Sequence, residues 1–183
     1  EPIALRIVSI STNKPGLNQV LGVDKQKNLI QISDSTQKIS SFKPGDVIEF
    51  MPTKVYGNTI NIDDDSFLRK IDDLNEIVSL SDLRTKISDV KVGTNYCIEA
   101  IVIKEPERRE VQTKTGEMIS LSEMFIEDDS KQIWLKGWRE QASLIAECSI
   151  GEIFSVTGVT AKEGLEGRIE LFLTPFSTIT RKN

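Results

Sequence analysis

Short apolar runs alternate with polar punctuation along the whole chain. Val, Ile and Phe recur at every second position, and clusters of Gly, Asn, Asp and Lys-Pro-Gly interrupt them. That period of two predicts strands. In the first half they fall at Ile3–Ile10, Asn18–Asp24, Leu29–Asp34, Asp46–Pro52 and Thr59–Ile62. Turns separate them at Asn13-Lys14-Pro15-Gly16, Asp24–Asn28, Lys43-Pro44-Gly45-Asp46 and Tyr56-Gly57-Asn58. The second half repeats the plan, with strands at Tyr96–Lys104, Met118–Asp128, Gln132–Trp138, Glu152–Thr160 and Arg168–Thr174. A long polar hairpin, Glu105–Glu117, follows the first of these. Ala142, Leu144, Ile145 and Ala146 lie near helical spacing, so Arg139–Glu147 is predicted as a short helix. Its counterpart in the first half, Ser35–Phe42, is predicted as a turn.

The halves correspond in order but hardly in identity. Lys43-Pro44-Gly45-Asp46-Val47-Ile48-Glu49-Phe50 answers Ser149-Ile150-Gly151-Glu152-Ile153-Phe154-Ser155-Val156, and Val23-Asp24 answers Glu127-Asp128. A repeat of about 100 residues predicts two duplicated domains, 1–75 and 76–183, not a solenoid. Between them Leu68, Ile71, Leu74, Ile77 and Val78 have helical spacing, which predicts a linker helix within 66–92. Leu80–Ile87 could add a helical turn capped by Ser81 or Ser79. The carboxylate run Asp63-Asp64-Asp65 has no partners at defined metal-ligand spacing and reads as a solvated turn.

Five short strands with a helix between the third and fourth is the pattern of the OB-fold, a five-stranded Greek-key barrel. The predicted fold is therefore all-β with one or two short helices, as two tandem OB barrels. The second half also resembles the single-stranded-DNA-binding OB domains of replication protein A, particularly the archaeal versions. The matching stretches are Leu83-Arg84-Thr85-Lys86-Ile87-Ser88-Asp89-Val90-Lys91-Val92-Gly93, the Arg-rich hairpin ending Thr113-Lys114-Thr115-Gly116-Glu117, Ile126-Glu127-Asp128-Asp129-Ser130-Lys131-Gln132-Ile133, Trp138-Arg139-Glu140-Gln141-Ala142 and Ile150-Gly151-Glu152-Ile153-Phe154. The likeness spans about residues 80–180. It departs at Lys131, where the family has Gly, and at Gly137, where the family has an apolar residue. Residues 1–75 match only the generic OB pattern.

In Ile133-Trp134-Leu135-Lys136-Gly137-Trp138, alternation sends Ile133 and Leu135 inward and Trp134, Lys136 and Trp138 outward together. Two indoles bracketing an amine suit a single strand of nucleic acid: flat faces for bases and a cation for phosphate. The resemblance places a stacking aromatic at Trp138. It also sets Met124 and Ile126 inside and Phe125 outside; a one-residue slip would put Phe125 in the core. On the last strand Ile169, Leu171 and Leu173 read as internal, leaving Arg168 and Phe172 outward. Lys104, Arg108, Arg109 and Lys114 surround the loop that clamps the backbone in the family, interleaved with Glu105, Glu107 and Glu110. They read either as phosphate contacts or as a solvated, internally paired hairpin. The first half offers only Tyr56, Lys25, Lys27 and Lys54, and is expected to bind weakly, extend the track or serve as a protein contact.

Composition narrows the chemistry. The 183 residues include no histidine and two cysteines, with a formal net charge of −5. His-based acid–base and nucleophile sites are excluded, and two cysteines make neither a four-Cys zinc site nor a disulfide framework. Cys97 and Cys148 read as buried reduced thiols, hence an intracellular protein. No run approaches a membrane span. Glu1 is not an initiator Met and nothing resembles a signal peptide, so the chain reads as an excised fragment. No Walker loop, dinucleotide fingerprint or HExxH motif occurs, and no enzyme activity, metal or cofactor is expected. Neither half carries a positive excess, so binding must rest on stacking and a local stripe of charge. The expectation is a sequence-tolerant binder of single-stranded DNA, or of RNA, acting in replication, repair or recombination beside other proteins of those processes. The alternatives are an OB scaffold subunit of a replication or telomere complex, whose tryptophan face is a protein interface, and an OB appendage of an enzyme such as a tRNA synthetase.

Overall fold

The computed structural model describes residues 2–51, 54–57, 59–73 and 75–182, with the backbone alone at 54–56 and 165. The chain divides into two compact units, Glu1–Leu83 and Arg84–Asn183. All ten predicted strands are present, in two sheets that curl into OB barrels.

In the first unit the strands are β1 (Ile3–Lys14), β2 (Leu17–Val23), β3 (Leu29–Asp34), β4 (Val47–Met51), β5 (Lys54–Tyr56), β6 (Thr59–Ile62) and β7 (Phe67–Ile71). β1, β2 and β3 form an antiparallel meander, and β4 pairs back onto β1. β3 runs parallel to β6, the third-to-fifth strand pairing of the Greek key. Ser35–Phe42 holds one 3-10 turn, Lys38–Ser41.

The second unit has β8 (Gly93–Val102), β9 (Glu107–Gln112), β10 (Met118–Glu127), β11 (Gln132–Trp138), α1 (Ala142–Ala146), β12 (Ile153–Glu163), β13 (Ile169–Phe172) and β14 (Thr178–Lys182). Its ring closes completely. β8 pairs with β10, β10 with β11, β11 in parallel with β13, β13 with β12, and β12 with β8. The interior holds Ile98, Val102, Met124, Ile126, Leu135, Phe154, Val156 and Leu171, with Ile145 of α1 plugging one end. Closure leaves no free edge in the ring, so the alternation of every strand is locked between core and solvent. Gly137 is where the plug passes. A Cβ there would lie 2.7 Å from the carbonyl oxygen of Gln141 and 3.2 Å from Ile145 Cδ1. The departure from the family pattern is thus what seats the 139–146 segment against β11.

Among the described residues the linker helix is not formed. Phe67–Ile71 is a strand, pairing with β4 from Met51↔Phe67 to Val47↔Ile71. Leu68 and Ile71 satisfy a helical period, but Leu68 packs against the first barrel's core while the backbone completes the outer side of β4. Tertiary pairing overrides a weak local preference. Among the described residues of 66–92 the only helical elements are the 3-10 turn Ile87–Asp89 and a turn in which the Leu83 amide reaches the Ser79 carbonyl. The Ser79 hydroxyl caps that turn, accepting from the Asp82 amide at 3.2 Å. Leu74 and Asn58 lie outside the described residues.

The segment beyond β7 stays with the first barrel. The Arg6 side chain is buried, and its guanidinium donates to the carbonyls of Gly45, Ile77 and Val78 and to the Asp73 carboxylate. That grip places the division between the units at Leu83–Arg84, not after residue 75. The carboxylate run is a turn whose backbone carbonyls at Asp63, Asp64 and Ser66 converge on the Lys38 amine at 2.8–2.9 Å.

Candidate nucleic-acid interface

The pleat of β10 and β11 arranges one outer face of the second unit in cross-strand rows. Met124↔Leu135 and Ile126↔Ile133 face inward and are buried. The outward rows are Phe125↔Trp134, Glu123↔Lys136 and Leu121↔Trp138. Phe125 therefore lies outside the core. Its ring centroid is 4.8 Å from that of Trp134, with the planes tilted by 43°. β13 extends the face: Leu171 is buried, and the intervening Glu170 and Phe172 turn outward.

The two tryptophans differ. Trp134 borders a cleft of about 360 Å³ together with Phe125, Lys131, Arg168 and Glu170. Trp138 stands opposite Leu121, which is on the outer face yet only 2% exposed. Of the two tryptophans, it is Trp134 that lines the cleft, while Trp138 stands beside a covered leucine.

The charges are not arranged as the sequence suggested. Lys136, expected to meet phosphate, is only 19% exposed and holds Glu170 at 2.9 Å and Glu123 at 3.6 Å. Arg109 also approaches Glu123, at 3.6 Å. Arg108 donates to the Ser120 hydroxyl, which in turn donates to Glu110, so the hairpin strand β9 carries internal pairing along its paired edge. Arg168 is 73% exposed beside an equally exposed Glu166. Lys114 is exposed at the tip of the hairpin and has no ion pair among the described residues. Two cations lie over the rings: Lys104, which the sequence placed only among the charges around the hairpin, and Lys162, which it did not single out. The Lys104 amine lies 5.4 Å from the Phe125 centroid and 5.6 Å from that of Trp134. Lys162 lies 5.1 Å over Phe172. At such distances an ammonium is held by the ring quadrupole and can move onto a phosphate. Glu123 and Glu170 were missed; period-two alternation beside Lys136 was the signal that could have found them.

In the first unit the β2 side of the corresponding face is buried, while its β3 residues Leu29 and Gln31 are partly exposed. Leu21↔Gln31 occupies the place of Phe125↔Trp134, followed by Val23↔Leu29. Leu21 and Val23 are fully buried, as are their neighbours on β1, Ser9 and Arg6, almost entirely. Lys25 pairs with Glu76 at 3.1 Å, and Lys27 is exposed. The side chains of Tyr56 and Lys54 lie outside the described residues.

Asp128, between β10 and β11, is a turn residue. Burial raises its pKa, but hydrogen bonds from the Ser130 hydroxyl and the amides of Ile87, Ser130 and Lys131 outweigh this and hold it below the usual value. Asp129 pairs with Lys86 at 2.6 Å. No cluster of His, Cys, Asp and Glu able to hold a metal ion occurs among the described residues. Cys97 and Cys148 are both buried and unpaired, and burial pushes the Cys148 thiol up to about 11.

No protein-family model matches the sequence, and no curated protein matches it. Solved structures share the fold over the whole chain. The p204 HINb domain is 13% identical with a TM-score of 0.64, covering 100% of this chain and 97% of its own. A murine DNA binding protein bound with double-stranded DNA is 13% identical with a TM-score of 0.60, again covering 100% and 97%. A replication protein A heterotrimer bound to single-stranded DNA is 14% identical with a TM-score of 0.60, covering 100% of this chain and 49% of that one. At these identities the likeness establishes the tandem OB architecture.

Proposed function

We propose that the second unit binds single-stranded DNA by base stacking, as a non-catalytic module of a replication-protein-A-like protein, of archaeal type, acting in replication, repair or recombination. The observation that carries this reading is the tilted Phe125–Trp134 pair, outward on the sheet, beside an open cleft, with a lysine amine over both rings. Bases stack on Trp134 and Phe125, with Phe172 extending the platform. Phosphates run along the rim past Lys104, Arg108, Lys114, Lys162 and Arg168. That structures of the same fold hold double-stranded and single-stranded DNA supports a polynucleotide ligand. Flat exposed rings favour the single strand, because a duplex hides the faces of its bases. The first unit, whose matching face is buried on its β2 side and has no aromatic in the place of Phe125 and Trp134, contacts other protein or extends the track. Each stacked base is worth about 1–3 kcal/mol, and few phosphates are neutralised, so affinity falls only modestly with salt.

Tryptophan fluorescence tests the reading. Oligo-dT should quench emission at low micromolar concentration, and duplex DNA of equal length should not. Unchanged emission with every nucleic acid would refute it and leave the tryptophan face as a protein interface, which the acidic balance of the chain also suits.

A further inference from the structure

Between the two outward tryptophans lies a row of charge. Glu123 and Lys136 are cross-strand partners, and Glu170 from β13 closes on the same amine. All three side chains are under one-fifth exposed. Buried this far, the Lys136 amine is already neutralised by two carboxylates and is a poor anchor for phosphate. The carboxylates in turn repel the backbone. Glu170 lines the cleft beside Trp134, and the row it forms with Lys136 and Glu123 is an ordered set of hydrogen-bonding groups: acceptor, donor, acceptor. Glu123 is two residues from Phe125 and Lys136 two from Trp134, on the same face, so a base stacked on those rings has its edge toward this row.

We propose that the Glu123–Lys136–Glu170 row reads the edge of a stacked base and selects those that present an exocyclic amino group beside a ring-nitrogen acceptor, adenine and cytosine, over thymine and uracil. The inference rests on the stacking reading above. Adenine offers an N6 amino donor to a carboxylate and N1 to the ammonium. Cytosine offers its N4 amino group and N3 in the same order, leaving only its O2 carbonyl mismatched against the second carboxylate. Uracil and thymine present carbonyl, N–H, carbonyl, which sets acceptor against acceptor and donor against donor at every position. Carboxylates are established acceptors for the cytosine N4 amino group, and a well-formed pair of contacts discriminates by about tenfold. Only the base above this row is read; bases elsewhere on the strand stack without selection.

The test compares short oligo-dC with oligo-dU of equal length, by tryptophan quenching at one salt concentration above neutral pH. The two share ring size and backbone and differ only in the edge. Oligo-dC is expected to bind about tenfold more tightly. In the double variant Glu123→Gln/Glu170→Gln each amide can donate or accept, so the ratio should fall to near one. A urea melt establishes that the variant is folded, and the ratio in the native protein stands as a test without it. Equal binding of the two oligomers by the native protein would overturn the selection and leave stacking intact. A ratio unchanged in the folded double variant would also overturn it. Failure of both oligomers to bind would remove the stacking reading itself.

Discussion

Replacing each tryptophan separately should divide binding from stability. Trp134 lines the cleft and packs against Phe125 on the outer face, where solvent already reaches it. Trp134→Ala removes one stacking platform, worth about 1–3 kcal/mol, so affinity for single-stranded DNA should drop by about 5- to 150-fold. The fold should barely notice, because Ile133 and Leu135 on the inner face are untouched. Trp138 is placed otherwise. Its cross-strand partner Leu121 is 2% exposed although it points away from the core, and the indole stands on the facing position of β11. Trp138→Ala opens that leucine to water, and burying a leucine is worth about 1.5–3 kcal/mol. The urea midpoint should fall accordingly, while affinity changes by less than about threefold, well short of one lost stack. Urea melts and fluorescence titrations, the latter by anisotropy of a labelled oligomer so that either tryptophan can be absent, measure both quantities. Comparable affinity losses in the two variants, or a Trp138→Ala protein as stable as the native one, would refute the assignment.

Two further outcomes follow from buried and turn groups. Asp128→Ala strips the acceptor from the amides of Ile87, Ser130 and Lys131, and should cost about 1–2 kcal/mol in a urea melt. Because the Asp128 pKa is lowered in the folded protein, its contribution is complete above the ordinary carboxylate value and disappears as pH falls through the depressed one. The native and variant proteins should therefore converge in stability on acidification below about pH 4, and a gap that widens there would contradict the sign. Both thiols are buried, and burial raises each pKa, that of Cys148 to about 11. Ellman's reagent should leave the native protein unlabelled at neutral pH over minutes and label two thiols in guanidinium; rapid native labelling would show that these positions open readily.

The strands were legible because closed barrels impose strict alternation. Leu29–Asp34, Thr59–Ile62 and Gln132–Trp138 form as the pattern predicts, to the residue. Phe125 could be placed outside only through the resemblance, because a one-residue slip was equally open to the sequence; the register Phe125↔Trp134 decides it. Four strands were not legible, the three-residue β5 among them. β7 carries apolar residues at a helical interval, and β9 and β14 are mostly exposed polar strands whose order comes from pairing with β10 and β12. Their stabilising partners are distant in sequence, so no local pattern reveals them. The charge of Lys136 was legible but its environment was not. Residue type fixes a charge, whereas its neutralisation depends on Glu170, which reaches it through the parallel pairing of β11 with β13.

The duplication shows what makes the two faces differ. Both units keep the parallel third-to-fifth strand pairing, and both add a sixth strand antiparallel to the fourth, β7 in one and β14 in the other. Both also brace the turn after the second strand with a carboxylate. Asp24 accepts from the amides of Gln26 and Asn28 as Asp128 does from Ser130 and Lys131. With the scaffold held constant, the difference lies in what the outer face carries. Leu21 and Gln31 stand where Phe125 and Trp134 stand, and Leu21 and Val23 are fully buried. An aliphatic face is stable only when covered, and the segment that Arg6 secures at Ile77 and Val78 lies on the β1 side of it. An aromatic face with a balanced row of charge can remain in water, because its polar members stay solvated and its rings are supported by each other and by Lys104. Substituting Leu21 by an aromatic residue would accordingly not create a second binding platform, since the position has no solvent to face.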